Sequence, residues 1–102
     1  MRSARILMHG IEAGILMELE NKAYTFSYSK DYQGPPISLT LPVSNKTYVF
    51  DTLPPFFEGL LPEGIMLEAL LRKNKIDTHD YFKQLTSVGM DVVGAVTIEE
   101  IK

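Results

Sequence analysis

The sequence predicts an α+β domain: a small antiparallel β-sheet first, then about three helices packed on one side, and a closing strand. Three observations carry this. Apolar and polar residues alternate as far as Phe50, apolar residues recur at helical spacing after Asp51, and a β-branched run returns at Val92 to Ile98. The 102 residues suffice for one hydrophobic core and read as one domain, 1–102, without repeats, low-complexity tracts or a linker.

The elements follow in order. Arg5 to His9 is a short apolar run, His9-Gly10 is a turn signal, and Ile11 to Leu19 resumes the strand pattern. After a break at Glu20-Asn21-Lys22, Tyr24-Thr25-Phe26-Ser27-Tyr28 alternates cleanly and puts Tyr24, Phe26 and Tyr28 on one face. Lys30 to Pro36 is a polar loop closed by Gly34-Pro35-Pro36, which interrupts any ladder. Ile37, Leu39 and Leu41 alternate with Ser38 and Thr40 as a further extended run ended by Pro42, and Lys46 to Phe50 reads as one more short strand.

Leu53-Pro54-Pro55 opens a short helix carrying Phe56, Phe57, Leu60 and Leu61, with proline suited to the first turn. Pro62 and Glu63 start a second helix that runs to about Lys73, its terminal charges matched to the macrodipole. Asp77 or Thr78 is placed to cap a third helix, in which Tyr81, Phe82, Leu85 and Val88 form an apolar stripe and Gly89 is the stop.

Composition narrows the function. Apolar residues at 45% and charged residues at 23% are ordinary globular usage, which argues against disorder. A net charge of −3, from 13 acids and 10 bases, argues against autonomous nucleic-acid binding, which rests on phosphate contacts. With no cysteine there is neither a disulfide framework nor a thiolate metal site. Arg2 and Arg5 precede Ile6-Leu7-Met8, but His9 and Glu12 interrupt the run and no small-residue cleavage site follows, so a signal peptide is not expected. No apolar stretch approaches the roughly 20 residues of a membrane helix, and a cytoplasmic protein with no membrane contact is the expectation.

The chemistry expected is binding, not catalysis. His9 and His79 lie in different elements without grouped ligands, which leaves no metal site to predict. The glycines never form a phosphate-binding loop, the serines lack a nucleophile elbow, and Glu12, Glu18 and Glu20 alternate with apolar residues as a solvent face. No enzyme activity and no cofactor are expected. The one basic cluster, Arg72-Lys73-Asn74-Lys75, reads as a helix C-terminus complementing its dipole or as a salt-sensitive contact with an acidic partner.

One position stands out on geometry. At about 100° per residue, Met66, Leu67, Leu70 and Leu71 share a sector that reads as the core face. Ile65 falls almost opposite, among Glu68, Ala69 and Arg72, just after Leu61-Pro62-Glu63-Gly64. This makes Ile65, Gly64, Glu63, Glu68, Ala69 and Arg72 the candidate partner-binding residues, with Ile65 as anchor.

The order of Phe26-x-Tyr28, Ile37-Ser38-Leu39-Thr40-Leu41-Pro42, Phe56-Phe57-Glu58-Gly59-Leu60-Leu61-Pro62-Glu63-Gly64, then Asp80, Phe82, Leu85 and Gly89-x-Asp91-x-x-Gly94-Ala95 resembles the N-terminal subdomain of HipA-type serine/threonine kinases, toxins of bacterial toxin–antitoxin systems. The resemblance runs from about Arg5 to Val96. Because Ile101-Lys102 ends the sequence where a kinase core would begin, it resembles in particular the free-standing HipS proteins of tripartite HipB–HipS–HipT systems. That resemblance implies an antitoxin that binds and inhibits a HipT-like kinase, in a ternary complex with a HipB-like DNA-binding protein. The alternative is a non-inhibitory structural subunit that completes the kinase and its DNA-bound complex. The sequence departs from the family pattern at one point. Relatives often carry a bulky aromatic after the L-P-E-G run, where this chain has Ile65 and no tryptophan anywhere, so the implied hot spot is smaller.

Overall fold

The computed structural model describes residues 1–89 and 95–101. It contains β1 (Arg2–Met8), β2 (Ile11–Glu18), β3 (Tyr24–Tyr28), β4 (Thr47–Phe50), α1 (Pro55–Glu58), α2 (Gly64–Asn74), α3 (Tyr81–Val88) and β5 (Val96–Ile101). The strands form one sheet in the order β4-β3-β2-β1-β5, and every neighbouring pair is antiparallel. The predicted α+β architecture is therefore the observed one. Residues 92–94 of the predicted closing strand, and the motif positions Asp91 and Gly94, lie outside the described residues.

Period-2 patterning sorts the sheet into two faces. Ala4, Ile6 and Met8 of β1, Leu16 of β2, Tyr24, Phe26 and Tyr28 of β3, and Val96 and Ile98 of β5 are buried in one cluster with Phe57, Phe82 and Leu85 from the helices. Opposite faces of β1, β2 and β5 carry Arg5, Glu12 and Glu99; the Arg5 guanidinium bonds Glu12 at 2.7 Å and also bonds Glu99. Tight turns and one bulge set the register. His9 and Gly10 both have positive φ, 52° and 83°, and form a two-residue hairpin between the paired residues Met8 and Ile11. Ile6 pairs with Gly14 and Leu7 with Glu12, which leaves Ala13 as the extra residue of a bulge; its carbonyl accepts the Ser29 N–H at 2.7 Å. Gly14 is needed beside it, because a Cβ there would sit 2.3 Å from the Ser27 carbonyl oxygen.

Residues 37–41 are not a strand. Ile37 and Leu41 are buried but Leu39 is 93% exposed. The prolines on either side deny the segment ladder partners, and the Tyr28 hydroxyl holds it instead. That hydroxyl accepts the Ile37 N–H at 3.1 Å and donates to the Leu41 carbonyl. Tyr48 donates to the Pro42 carbonyl at 2.6 Å from the other side.

The helical half needs further corrections, among them the start of α2, which is Gly64 and not Pro62 or Glu63, because Glu63 is still extended. The α1 helix is a single turn of four residues, with Leu60 and Leu61 following it in hydrogen-bonded turns. The cap of α3 is Asp80, whose carboxylate accepts the Lys83 N–H at 3.2 Å; Asp77 turns the preceding chain by accepting the His79 N–H at 2.7 Å. Within α3, Phe82 and Leu85 are buried as predicted, but Val88 is half-buried and Tyr81, placed in the same stripe, is exposed. The buried position next to Leu85 is Gln84, whose amide donates to the carbonyls of Asp77 at 3.2 Å and Thr78 at 3.0 Å. A last correction concerns Met66, predicted to face the core. It is 69% exposed, and no residue of α2 is fully buried. Leu67, Leu70 and Leu71, predicted on the same face, are only half-buried and stand outside the core cluster; Met66 lies about a quarter turn to their side.

Candidate functional site

The site predicted from sequence is the start of α2. After Leu61 and Pro62 the chain extends at Glu63 (φ −128°, ψ 163°), then reverses at Gly64, whose φ of 57° is left-handed and suits glycine. No side chain caps this terminus, and the Glu63 carbonyl accepts the Leu67 N–H at 3.4 Å. The first helical turn therefore begins with two large apolar side chains, Ile65 and Met66, 81% and 69% exposed. Glu63, Gly64, Glu68, Ala69 and Arg72 are exposed as well, so all six predicted partner-binding residues lie on the open side of α2 or its lead-in. Met66 joins them as the residue the sequence reading missed. The available signal was its position at the edge of the leucine row, which leaves burial to the surroundings.

Under this tip lies a groove of about 250 Å³, lined by Leu61, Pro62 and Leu67 on one side and by Thr78, Tyr81 and Gln84 on the other. At its far end α2 stops at Lys75, left-handed at φ 54°, whose N–H bonds the Leu71 carbonyl. Buried Ile76 follows and fixes the exit. The helix thus contributes no buried residue of its own, and Leu67 is its side chain that lines the groove.

The strongest electrostatic cluster is elsewhere. The Arg2 guanidinium bonds Glu18 at 2.8 Å and Asp80 at 2.8 Å and lies 4.9 Å from the centroid of the Phe82 ring. Tyr24 donates to the same Glu18 carboxylate at 3.1 Å. Hydrogen bonding to Asp80 pushes the Arg2 pKa up, outweighing burial, which acts to lower it. Burial acts to raise the Asp80 pKa, but the Arg2 bond and the Lys83 N–H bring it below the usual carboxylate value. Burial, reinforced by the Glu18 charge, pushes the Tyr24 phenol up. These pairings are mutual and tie strands to helix. Among the described residues no three histidine, aspartate or glutamate side chains are grouped to hold a metal ion, and no buried side-chain polar atom lacks a partner. Nor is any helix there long and apolar enough to cross a membrane.

A five-stranded antiparallel sheet that includes the closing strand, together with three helices, defines a small α+β module. The chain belongs to the HipA N-terminal domain family, whose model matches residues 4–99. It is 38% identical over 101 residues to an uncharacterized protein of Haemophilus influenzae (strain Rd), covering 99% of this chain and 94% of that one. It is also similar to a solved structure described as the N-terminal domain of HipA toxin, with a TM-score of 0.81 and 32% identity over 100% of this chain and 94% of the other. The resemblance read from the sequence motifs is thereby borne out at the level of the family and the fold.

Proposed function

We propose that this chain is an antitoxin that binds and inhibits a HipT-like, HipA-family serine/threonine kinase, with a HipB-like DNA-binding protein completing the complex in the cytoplasm. The observation that carries the reading is the Ile65–Met66 tip: two adjacent large apolar side chains raised into solvent on a helix with no buried residue. In a member of the HipA N-terminal domain family, such a tip is suited to a pocket on the kinase. The chain contributes shape and contact, and the kinase contributes the chemistry.

The test is co-expression. Producing the HipA-family kinase of the same cell arrests growth, and adding this chain restores it, with kinase autophosphorylation falling in step in the purified pair. If the chain binds the kinase yet leaves toxicity and phosphorylation unchanged, it is a structural subunit and the antitoxin reading is overturned.

A further inference from the structure

We infer that α2 is a two-part docking helix, whose apolar tip enters a pocket while its cationic end, Arg72 and Lys73 with Lys75 beside them, seats against an acidic patch of the same partner protein. This deepens and rests on the kinase-binding reading above. Three observations meet here. The open side of α2 is polarised along its length, with Glu63 and Glu68 toward the start and Arg72, Lys73 and Lys75 at the end. Among the described residues no ion pair involves any of these three cations, whereas Arg2 and Arg5 each bond two carboxylates. Ile65 and Arg72 are seven residues apart, two helical turns, so they project from the same side with roughly 10 Å between them. One rigid helix therefore presents an apolar anchor and a positive pole at a fixed spacing.

The helix dipole accounts for part of this arrangement, since cations are favoured in a last turn. It does not account for an apolar anchor on the same exposed face. Charge complementarity selects the occupant: a local positive pole on a chain of net charge −3 is complementary to a confined acidic patch, not to an extended anion. A nucleic-acid backbone offers phosphates but no dry pocket for Ile65 and Met66, which leaves a protein surface as the fitting partner. The division of labour follows from physics. Exposed charges steer encounter and act on the association rate, while the desolvated tip governs dissociation.

The experiment measures association and dissociation rates of the full chain on the catalytically inactive HipA-family kinase of the same cell, at about 50 mM and about 300 mM salt. Wild type is expected to lose on the order of tenfold in association rate across that range. Arg72→Gln with Lys73→Gln should lower the low-salt rate roughly three- to tenfold and flatten the salt dependence, with dissociation and thermal midpoint nearly unchanged. Arg72→Lys with Lys73→Arg should restore association. Lys30→Gln with Lys46→Gln removes the same charge elsewhere on the exposed surface and should have little effect; an equal loss from that pair overturns the local patch. A double variant that changes only the thermal midpoint reduces the cations to dipole partners and overturns the proposal. So does wild-type binding to duplex DNA that the double variant abolishes while kinase association is unaffected. A wild-type chain that does not bind the kinase overturns the kinase reading itself, whereas salt-independent binding overturns only the cationic contact.

Discussion

Arg2, at the start of the first strand, holds the carboxylate that caps the last helix: its guanidinium bonds Asp80 at 2.8 Å across 78 positions of sequence. Asp80 therefore serves two structures at once, accepting the Lys83 N–H of α3 and the β1 guanidinium. Asp80→Ala removes both and should cost about 1–2 kcal/mol. Asp80→Asn keeps an N-cap oxygen and should cost less. Urea midpoints of the two variants separate cap from ion pair; equal losses would mean that the cap oxygen contributes nothing, and no loss in Asp80→Asn would mean the same of the charge.

The same carboxylate gives the protein an acid limb. Burial acts to raise the Asp80 pKa, but Arg2 and the Lys83 N–H hold it below the ordinary value. The unfolded chain thus takes up this proton at a higher pH than the folded one. The Asp80 contribution is full above the usual carboxylate pKa of about 4 and is lost as pH falls through the lower folded value. Unfolding free energy measured from pH 6 downward should drop less steeply for Asp80→Asn than for wild type.

Tyr28→Phe should release the segment 37–41 without disturbing the sheet. The Tyr28 hydroxyl joins the Ile37 N–H to the Leu41 carbonyl, and the ring stacks on Tyr32 at a centroid distance of 5.9 Å. Losing the hydroxyl leaves both backbone groups unpaired, at roughly 1–3 kcal/mol. Hydrogen exchange should accelerate at Ile37 more than at Phe26. Burial also pushes the Tyr28 phenol up, so its contribution is present below about pH 10 and is lost as pH rises further.

Two glycines near helix ends should respond in opposite directions. A Cβ on Gly89 would lie 2.0 Å from the Ile98 carbonyl oxygen, and the Gly89 carbonyl itself accepts the Ile98 N–H at 2.9 Å. Gly89→Ala should therefore push α3 off β5 and cost about 3 kcal/mol or more. Gly59 has φ −64° and only ordinary 3.5 Å contacts, so Gly59→Ala should be neutral or stabilise by roughly 0.4–1 kcal/mol. Thermal unfolding of the pair decides it.

Ile65→Ala should leave stability within about 0.5 kcal/mol, because the side chain touches little of its own domain. In kinase binding it should cost on the order of 1 kcal/mol, and Met66→Ala should behave alike. Ile65→Trp should tighten binding if the pocket accepts an aromatic. An unfolded Ile65→Ala would place Ile65 in the core, and unchanged binding by all three stable variants would remove the tip from the interface.

Local patterning was enough for the sheet. The alternation at Tyr24-Thr25-Phe26-Ser27-Tyr28 states which side of a strand is buried, and His9-Gly10 states where the first hairpin turns, because both depend on neighbouring residues alone. The same logic put Ile65 on the open side of α2, since opposition on a helical wheel needs only the helix. It failed for Met66 and for 37–41, where the pattern is compatible with two outcomes and the surroundings choose. The domain buries no residue of α2, so Leu67, Leu70 and Leu71 are only half-buried and Met66 is exposed; the Tyr28 hydroxyl and the prolines turn an alternating run into a pinned loop. The Arg2–Asp80 bond and the approach of Gly89 to Ile98 had no local signal at all. They exist because antiparallel pairing brings β5 beside β1 and carries α3 with it, a consequence of chain closure that no window of sequence contains.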